Sequence, residues 1–550
     1  MSDVWGDARA LALRLTERRS VNGTPDETSF APFLRGVIAE AGYFEQHPDN
    51  LWLQPIDGDP LGRSAVIAFV RGVGRLTVVL TGHFDTIPTT DYGTLEPFAT
   101  NPLDLLPKLV ERLRATGEDA QALVDLSSGR FLPGRGLLDM KSGLAAGLVA
   151  LARFSVRPQR VGNLLFVAVP DEEDSSAGMR AVAPGLRALA QNHELDLSLA
   201  INLDALGDEG DGNKGRVVAL GGIGKTLLSA YVVGRETHAC YPFDGLSASL
   251  IAAELVRLFE CSLELTDGTA PPPSTLAMRD LKGAYDVTTP GRAWCCWNII
   301  SHGRTATDFL GNVKSAAHRI LTGMTERLAD HADCLDRTSS FARVTKEAIK
   351  VMTFDELMAH GARQRPTFSA EVQSEAAHIA QLPGLDLPTR AQKVTEFAWR
   401  KSGLAGPAVV FGFASMPYPA TKTLAELDAA LLVRVSDAVG VVSKRHNVGI
   451  SLAERLDVIA DTSFLGPVEK DDLTTVEANT PIWGTSIKWD LTLAPTPDLP
   501  AINVGPWGRG YHRWLERVEA RYAFEVLPDL ILTIADHILS DMEDANGQHS

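Results

Sequence analysis

Three short apolar runs constrain this chain more than anything else in it: Leu76–Leu80, Leu164–Val169 and Leu197–Leu203. Runs of that length with hardly a polar interruption predict strands covered on both faces, as in the sheet of an α/β domain. Each is followed almost at once by side chains of one chemical kind. The first leads to His83 and Asp85, the second to Asp171, Glu172, Glu173 and Asp174, and the third to Asp204. The end of such a strand is where α/β enzymes place their chemistry.

With a side-chain period of two, His83 and Asp85 point the same way just past their strand. A histidine that binds a metal through one ring nitrogen donates its other N–H to a carboxylate or carbonyl, and an H-x-D spacing puts such groups close together. The spacing alone is common. The four acidic residues from Asp171 to Asp174 repel one another unless solvent or a cation compensates, so they form either a solvated loop or part of a metal site. Asp204, delivered by a further strand, favours the second reading. Glycines on both sides of Asp139, in Gly134–Gly143, let the backbone pack tightly around it, as a rigid ligand or as a turn with a helix cap. The small residues Gly143, Ala145, Ala146 and Gly147 allow the predicted helix Leu144–Phe154 to lie close to the sheet. Near the other end, a glycine-rich loop within Asn503–Arg517 presents His512. Arg216–Thr226 nearly spells a phosphate loop, but Ala219 stands where the first glycine must be.

Two histidines and three carboxylates, His83, Asp139, Glu173, Asp204 and His512, are what two zinc-like ions need if one carboxylate bridges. Asp85 and Glu172 stand beside two of them. Neighbouring side chains diverge, so of the pair Glu172 and Glu173 one can ligate while the other stays free to move a proton.

Elsewhere the patterning predicts helices over 4–19 and Phe30–Ala41, the latter with Ser29 as cap and Pro32 in its first turn. Leu51–Leu53 alternates as a short strand. Ser64–Val70 and the run at 75–80, separated by Gly72 and Gly74, read as a hairpin, which makes the sheet mixed. Two strand and helix alternations within 216–335 indicate a small α+β domain inserted into a larger one of 1–215 and 336–550. Ala408–Phe413 looks like the earlier core strands and places the chain back in the first domain, and the polar tail after Asp544 is expected to fray.

At 550 residues the chain is long enough for more than one core. A formal charge of -17 and no basic patch argue against nucleic acid and anionic membrane. Cys240, Cys261, Cys295, Cys296 and Cys334 are scattered with no C-x-x-C, and no apolar run approaches the ~18 residues of a membrane span. A reducing cytoplasm is the expected location, with no membrane and no nucleic acid as partner.

The H-x-D of His83–Asp85, the G-x-x-D-M-K-x-G of Gly136–Gly143, the D-E-E of Asp171–Glu173, Asp204 and the late His512 resemble, in order and spacing, the M20 family of metallopeptidases and amidohydrolases. The D-E-E-D-S-S-x-G-M-R of Asp171–Arg180 and the P-W-G-x-x-x-H of Pro506–His512 are most similar to its RocB-type arginine-utilisation branch. The resemblance implies a mixed-sheet α/β hydrolase domain with two divalent ions, zinc or else manganese or cobalt, and an inserted α+β lid through which a homodimer forms. Asp139 would bridge the ions, His83 and Asp204 would complete one site and Glu173 and His512 the other. Asp85 would orient His83, and Glu172 would serve as general base and acid. His238, in the match Gly234–Ala239, would polarise the substrate carbonyl, often from the partner subunit, and Asn298 and Arg304 would bind a substrate carboxylate. The implied reaction is hydrolysis of a peptide, N-acyl or carbamoyl C–N bond in a small amino-acid derivative or short peptide, within arginine catabolism. The Pro-rich stretch from Thr266 to Pro290 and the long segment 340–500 depart from a minimal member and bear on the pocket's shape. A non-catalytic scaffold that keeps the fold would have lost the base or a ligand, and a single-metal enzyme would hold one ion per chain.

Overall fold

The computed structural model describes residues 4–344, 348–456, 458–466, 470–487, 489 and 497–540. The tail after Asp544 lies outside them. The chain divides into two compact units, one formed by 1–222, 421–467 and 495–550, the other by 223–420 and 468–494.

In the first unit Val73–His83 runs through an eight-stranded sheet. From one edge the order is Leu51–Pro55, Ser64–Val70, Val161–Val169, Val73–His83, Asp196–Asn202, Ala501–Asn503, Val217–Ala219 and Ser451–Ala453. Val73–His83 is parallel to both its neighbours, and Ala501–Asn503 continues the parallel run. Four strands therefore end on one edge. The apolar runs are buried on both faces because helices cover both. Val66, Ala68, Val78, Leu80 and Phe166 share a core with the helices Ala8–Glu17, Pro25–Ala39, Ser142–Ser155 and Leu527–Leu539. Outside that cluster the helix Ala177–His193 buries Met179, Val182, Ala183 and Leu186.

The expected hairpin of Ser64–Val70 with the next strand does not form, because Val161–Val169 lies between them and pairs with both. Gly72 is where the intruder comes close: a Cβ there would stand 2.2 Å from the Gly162 carbonyl oxygen and 2.5 Å from that of Arg160. The helix expected at Phe30 begins earlier, at Pro25, with Pro32 inside it. Thr24, Pro25, Asp26 and Glu27 supply a stronger start, with proline in the first turn and acidic side chains on the positive end.

The second unit holds a five-stranded sheet ordered Ser274–Asp280, Arg292–Ser301, Gly224–Val233, Ala408–Phe413, Lys350–Thr353. Leu228, Ala230, Trp297, Val409 and Phe411 pack with Leu255 and Phe259 of Ala248–Phe259 and with Val313 and Ala317 of Ala306–Cys334. Ala408–Phe413 has therefore not returned to the first unit. It pairs antiparallel with Gly224–Val233, and its apolar run carries no mark of which sheet it joins. Val217–Ala219 errs the other way, pairing with Ser451–Ala453 of the first unit. Part of the Pro-rich stretch is regular, since Ser274–Asp280 is the edge strand beside Arg292–Ser301. No helix among the described residues is long and apolar enough to cross a membrane.

The helix Ser142–Ser155 sits on the sheet through its glycines. A Cβ on Gly143 would lie 2.0 Å from the Leu203 carbonyl oxygen, and one on Gly505 would lie 1.7 Å from that of Asp204. Gly143→Ala is expected to lower the unfolding free energy by about 1–3 kcal/mol by overpacking. Gly311→Ala, on an open helix face with nothing within 4 Å, serves as the control in denaturant titration and should be neutral or slightly stabilising.

Candidate metal centre

Strand register sets the height of each group on the carboxyl edge. His83 is level with Val169 and Thr81 with Asn202, so Asp85 and Asp171 sit two residues past one pairing, and His83 and Asp204 two past the other. Asn202 and Asn503, also paired, tie the next strand in: Asn202 donates to the Asn503 side chain at 2.9 Å, and Asn503 to the Asp204 carbonyl at 2.9 Å.

His83 turns Nδ1 to the main-chain oxygen of Asp85 at 3.1 Å, which leaves Nε2 for the cavity. That Nε2 is 3.1 Å from Asp139 Oδ1 and 3.7 Å from Asp204 Oδ1. The other oxygen of Asp139 is 2.8 Å from His512 Nε2, which lies 3.3 Å from Glu173 Oε2. Donor atoms of His83, Asp139 and Asp204 all lie within 4.8 Å of one another, as do those of Asp139, Glu173 and His512. Two donor groups thus share one carboxylate. Imidazole and carboxylate donors in that arrangement fit a pair of zinc, manganese or cobalt ions.

Asp85 does more than the sequence indicates. The His83 ring is met by its carbonyl, with the carboxylate 3.5 Å from Nδ1. The carboxylate itself accepts the backbone N–H groups of Glu172 at 3.2 Å and Glu173 at 3.1 Å, and the Asn22 amide at 2.9 Å. It therefore places both glutamates. Asp171, at φ 72°, starts that turn and accepts from Ser175 Oγ, from the Ala177 N–H and from Arg63. Arg63, its side chain 7% exposed, also pairs with Glu27 at 3.0 Å and Asp59 at 2.8 Å.

Asp139 and His512 arrive through a separate four-stranded sheet in which Phe131–Pro133 and Trp507–Arg509 flank Arg517–Glu519. Glu516 accepts the N–H groups of Gly136 at 3.0 Å and Asp139 at 3.4 Å and pairs with Arg135 at 2.7 Å. The loop carrying His512 is pinned at both ends, since Arg509 and Arg517 each meet the Asp125 carboxylate at 2.7 Å. His512 takes φ 60°, and its ring stacks on Tyr511 at 4.4 Å.

Buried negative charge dominates the electrostatics. Burial pushes Glu172 well above the usual carboxylate range, with Asp204, Asp461 and Glu173 adding to it, and lifts Glu173 to about 7. Burial opposes protonation of the imidazoles, yet hydrogen bonds to Asp139, Asp204 and Asp85 carry His83 well above its ordinary value. Asp139 and Glu173 do the same for His512, up to about 10. Asp139, between two imidazoles, is held below the usual range in spite of burial. Such a cavity draws in positive charge, as protons or as metal.

His238, Asn298 and Arg304 belong to the second unit. His238 is exposed, and its Nδ1 accepts the Cys240 N–H at 3.1 Å. Asn298 lies in Arg292–Ser301 with its side-chain carbonyl oxygen buried and without a hydrogen-bond partner among the described residues. Arg304 spends its guanidinium on the carbonyls of Leu265, at 3.1 Å, and Thr266.

A model of peptidase family M20/M25/M40 matches residues 79–347. The protein YqjN of Bacillus subtilis is 30% identical over 548 residues, covering 98% of this chain and 97% of its own. This chain belongs to peptidase family M20. RocB of the same bacterium is 28% identical over 544 residues, 96% of this chain and 94% of RocB. The fold is that of a tripeptidase from Staphylococcus aureus, with a TM-score of 0.52 at 14% identity over 98% of this chain and 99% of that one.

Within this M20 chain, sequence reasoning passed over Asn22, Arg63, Glu516 and Asp461. The contacts of the first three with the centre cross long sequence separations, Asn22 to Asp85, Arg63 to Asp171 and Glu516 to the amides of Gly136 and Asp139, so only the fold pairs them. Asp461 is 2% exposed, and burial lifts its carboxyl to about 7.

A carboxyl raised by burial weakens the fold once it must ionise, and an imidazole raised by its partners loses their help as it deprotonates. Both effects lower the stability of the chelated protein as pH rises, Glu173 between about 4.5 and 7 and His512 between about 6.5 and 10. Thermal midpoints in EDTA should therefore fall from mildly acidic to alkaline pH, and the rise on adding zinc or manganese should be larger at the alkaline end. A flat or rising profile in EDTA would contradict this electrostatic picture.

Proposed function

We propose that this M20 hydrolase cleaves an amide-type C–N bond, peptide, N-acyl or carbamoyl, in a small amino-acid derivative, with two divalent ions held around Asp139. The observation that carries the reading is the position of one buried carboxylate between two donor groups, His83 with Asp204 and Glu173 with His512. Ions so held lower the pKa of water between them and polarise a carbonyl. Asp139 is assigned to both ions, His83 and Asp204 to one, and Glu173 and His512 to the other.

Glu172 is the proton carrier in this reading. Its Oε2 is 4.0 Å from His83 Nε2, its side chain is 12% exposed, and it belongs to neither donor group. Its raised pKa suits a group that takes a proton from water and returns it to the leaving nitrogen. Asp85 holds the backbone of Glu172 and Glu173, so that the glutamate assigned to ligation and the one assigned to proton transfer keep separate directions.

His238 is assigned to the substrate carbonyl. Because its Nδ1 accepts a hydrogen bond, the neutral ring carries its proton on Nε2, where it can donate to a carbonyl oxygen. In a homodimer through the second unit that histidine would act on the partner's substrate. Asn298 keeps its assignment to a substrate carboxylate, whereas Arg304 is occupied in holding the loop at Leu265–Thr266. The likeness to the RocB-type branch supports an arginine derivative as substrate, in arginine catabolism.

The test is an activity screen over N-acyl amino acids, dipeptides and carbamoyl derivatives with zinc, manganese or cobalt, with metal content measured alongside. Glu172→Gln should retain two ions per chain and lose about 10²–10⁴ in kcat. His512→Ala should lose one ion. Full activity in Glu172→Gln would remove that residue from proton transfer, and an unaltered metal count in His512→Ala would remove His512 from the ligands.

A further inference from the structure

Asp125, on the short helix Ala120–Ser127 of the first unit, is buried and lies outside both groups of convergent donors. Both its oxygens meet Arg509 Nη1 at 2.7 Å, and Oδ2 also meets Arg517 Nε at 2.8 Å and Nη2 at 2.7 Å. The two arginines are buried as well. Among the described residues their remaining hydrogen bonds go to main-chain carbonyls, that of Gly210 for Arg509 and that of Leu515 for Arg517.

Strand register explains why two arginines need one aspartate. Trp507–Arg509 and Arg517–Glu519 form an antiparallel pair in which Arg509 stands directly opposite Arg517. Directly opposed residues send their side chains to one face, where like charges destabilise the pairing. Burial strengthens that repulsion, because solvent and salt screen it poorly. The Asp125 carboxylate contacts both guanidiniums and replaces the repulsion with charge-assisted hydrogen bonds.

The segment closed by this pair, 510–516, carries His512 near one end and Glu516 at the other. His512 Nε2 is 2.8 Å from Asp139 Oδ2, and Glu516 accepts the Asp139 N–H at 3.4 Å. Inside the segment the backbone closes two turns, Arg513 N–H to the Gly510 carbonyl and Glu516 N–H to the Arg513 carbonyl, each at 2.9 Å. The Gly510 N–H is held by Glu209 at 2.8 Å. The His512 side chain itself is 39% exposed, so its place depends on how the root of its loop is fixed.

We infer that Asp125 is a positioning residue for one of the two ions. By holding Arg509 and Arg517 together it keeps His512 within reach of Asp139 and Glu173, and without it the ion assigned to Glu173 and His512 is lost before the one assigned to His83 and Asp204. The inference rests on the two-ion assignment of the proposed function.

The experiment measures zinc affinity by competition with a chelator, and ions per chain by metal analysis, in the full-length parent, Asp125→Asn, His512→Ala and the double variant. Asparagine keeps the size of the side chain and removes its charge. Asp125→Asn should bind one ion about 10- to 100-fold more weakly, as when a group that orients a metal ligand is removed, and leave the other nearly unchanged. Added to His512→Ala, it should cost no further affinity for the remaining ion, because the loop then carries no ligand. A general loosening of the fold would not show that selectivity. Arg517→Lys keeps the charge, gives up the planar fork and should weaken the same ion. It carries the test should Asp125→Asn not fold. Parent-like affinity for both ions in the variant that carries the test, equal weakening of both ions, an effect undiminished in the His512→Ala background, or failure of both variants to fold would overturn the inference. Metal binding needs no turnover, so the two readings fail in different ways. A parent that takes up one ion or none would sink the two-ion reading and this inference with it, whereas two ions whose affinities ignore Asp125→Asn would sink the Asp125 assignment alone.

Discussion

Asp139 lies between His83 and His512, each within hydrogen-bonding distance of a different carboxylate oxygen, and around this contact the protein buries further carboxylates, Asp85 and Asp204 among them. Like charges in a low-dielectric interior repel strongly, and removing them from water is costly even when they are paired. The rest of the first unit can be understood as the scaffold that holds these groups in place despite that repulsion.

Two devices do so. Backbone amides are aimed at carboxylates, those of Glu172 and Glu173 at Asp85 and those of Gly136 and Asp139 at Glu516. Buried arginines take the remaining load, Arg63 under the glutamate turn, Arg135 beside Glu516, and Arg509 with Arg517 at the roots of the His512 loop. Both arrangements act one step away from the donor atoms. Residues that never face the cavity thereby set its shape, and the side chains that do face it keep their lone pairs for a cation.

Some of this was legible beforehand because it is written in local pattern. The uninterrupted runs at Leu76–Leu80 and Leu164–Val169 can be buried only in a covered sheet, and the polar residues after them then fall on its edge. The small residues around Asp139 indicated a close approach of backbone, and Gly143 meets the Leu203 carbonyl. Strand partnership was not legible. Ser64–Val70 and Val73–His83 are adjacent in sequence with glycines between them, yet Val161–Val169 separates them, since a turn signal allows reversal without choosing a neighbour. Ala408–Phe413 was misplaced for the same reason.

What the sequence determined by itself is the chemical inventory and its local delivery: histidine and carboxylates at strand ends, a tight glycine-flanked aspartate, and a late histidine in a glycine-rich loop. Only the tertiary structure decided which of those groups come together and that Asp85 positions the two glutamates through their amides. Side-chain periodicity reports burial along one segment, whereas the pairing of charges hundreds of residues apart depends on register and crossover, for which a linear pattern carries no signal.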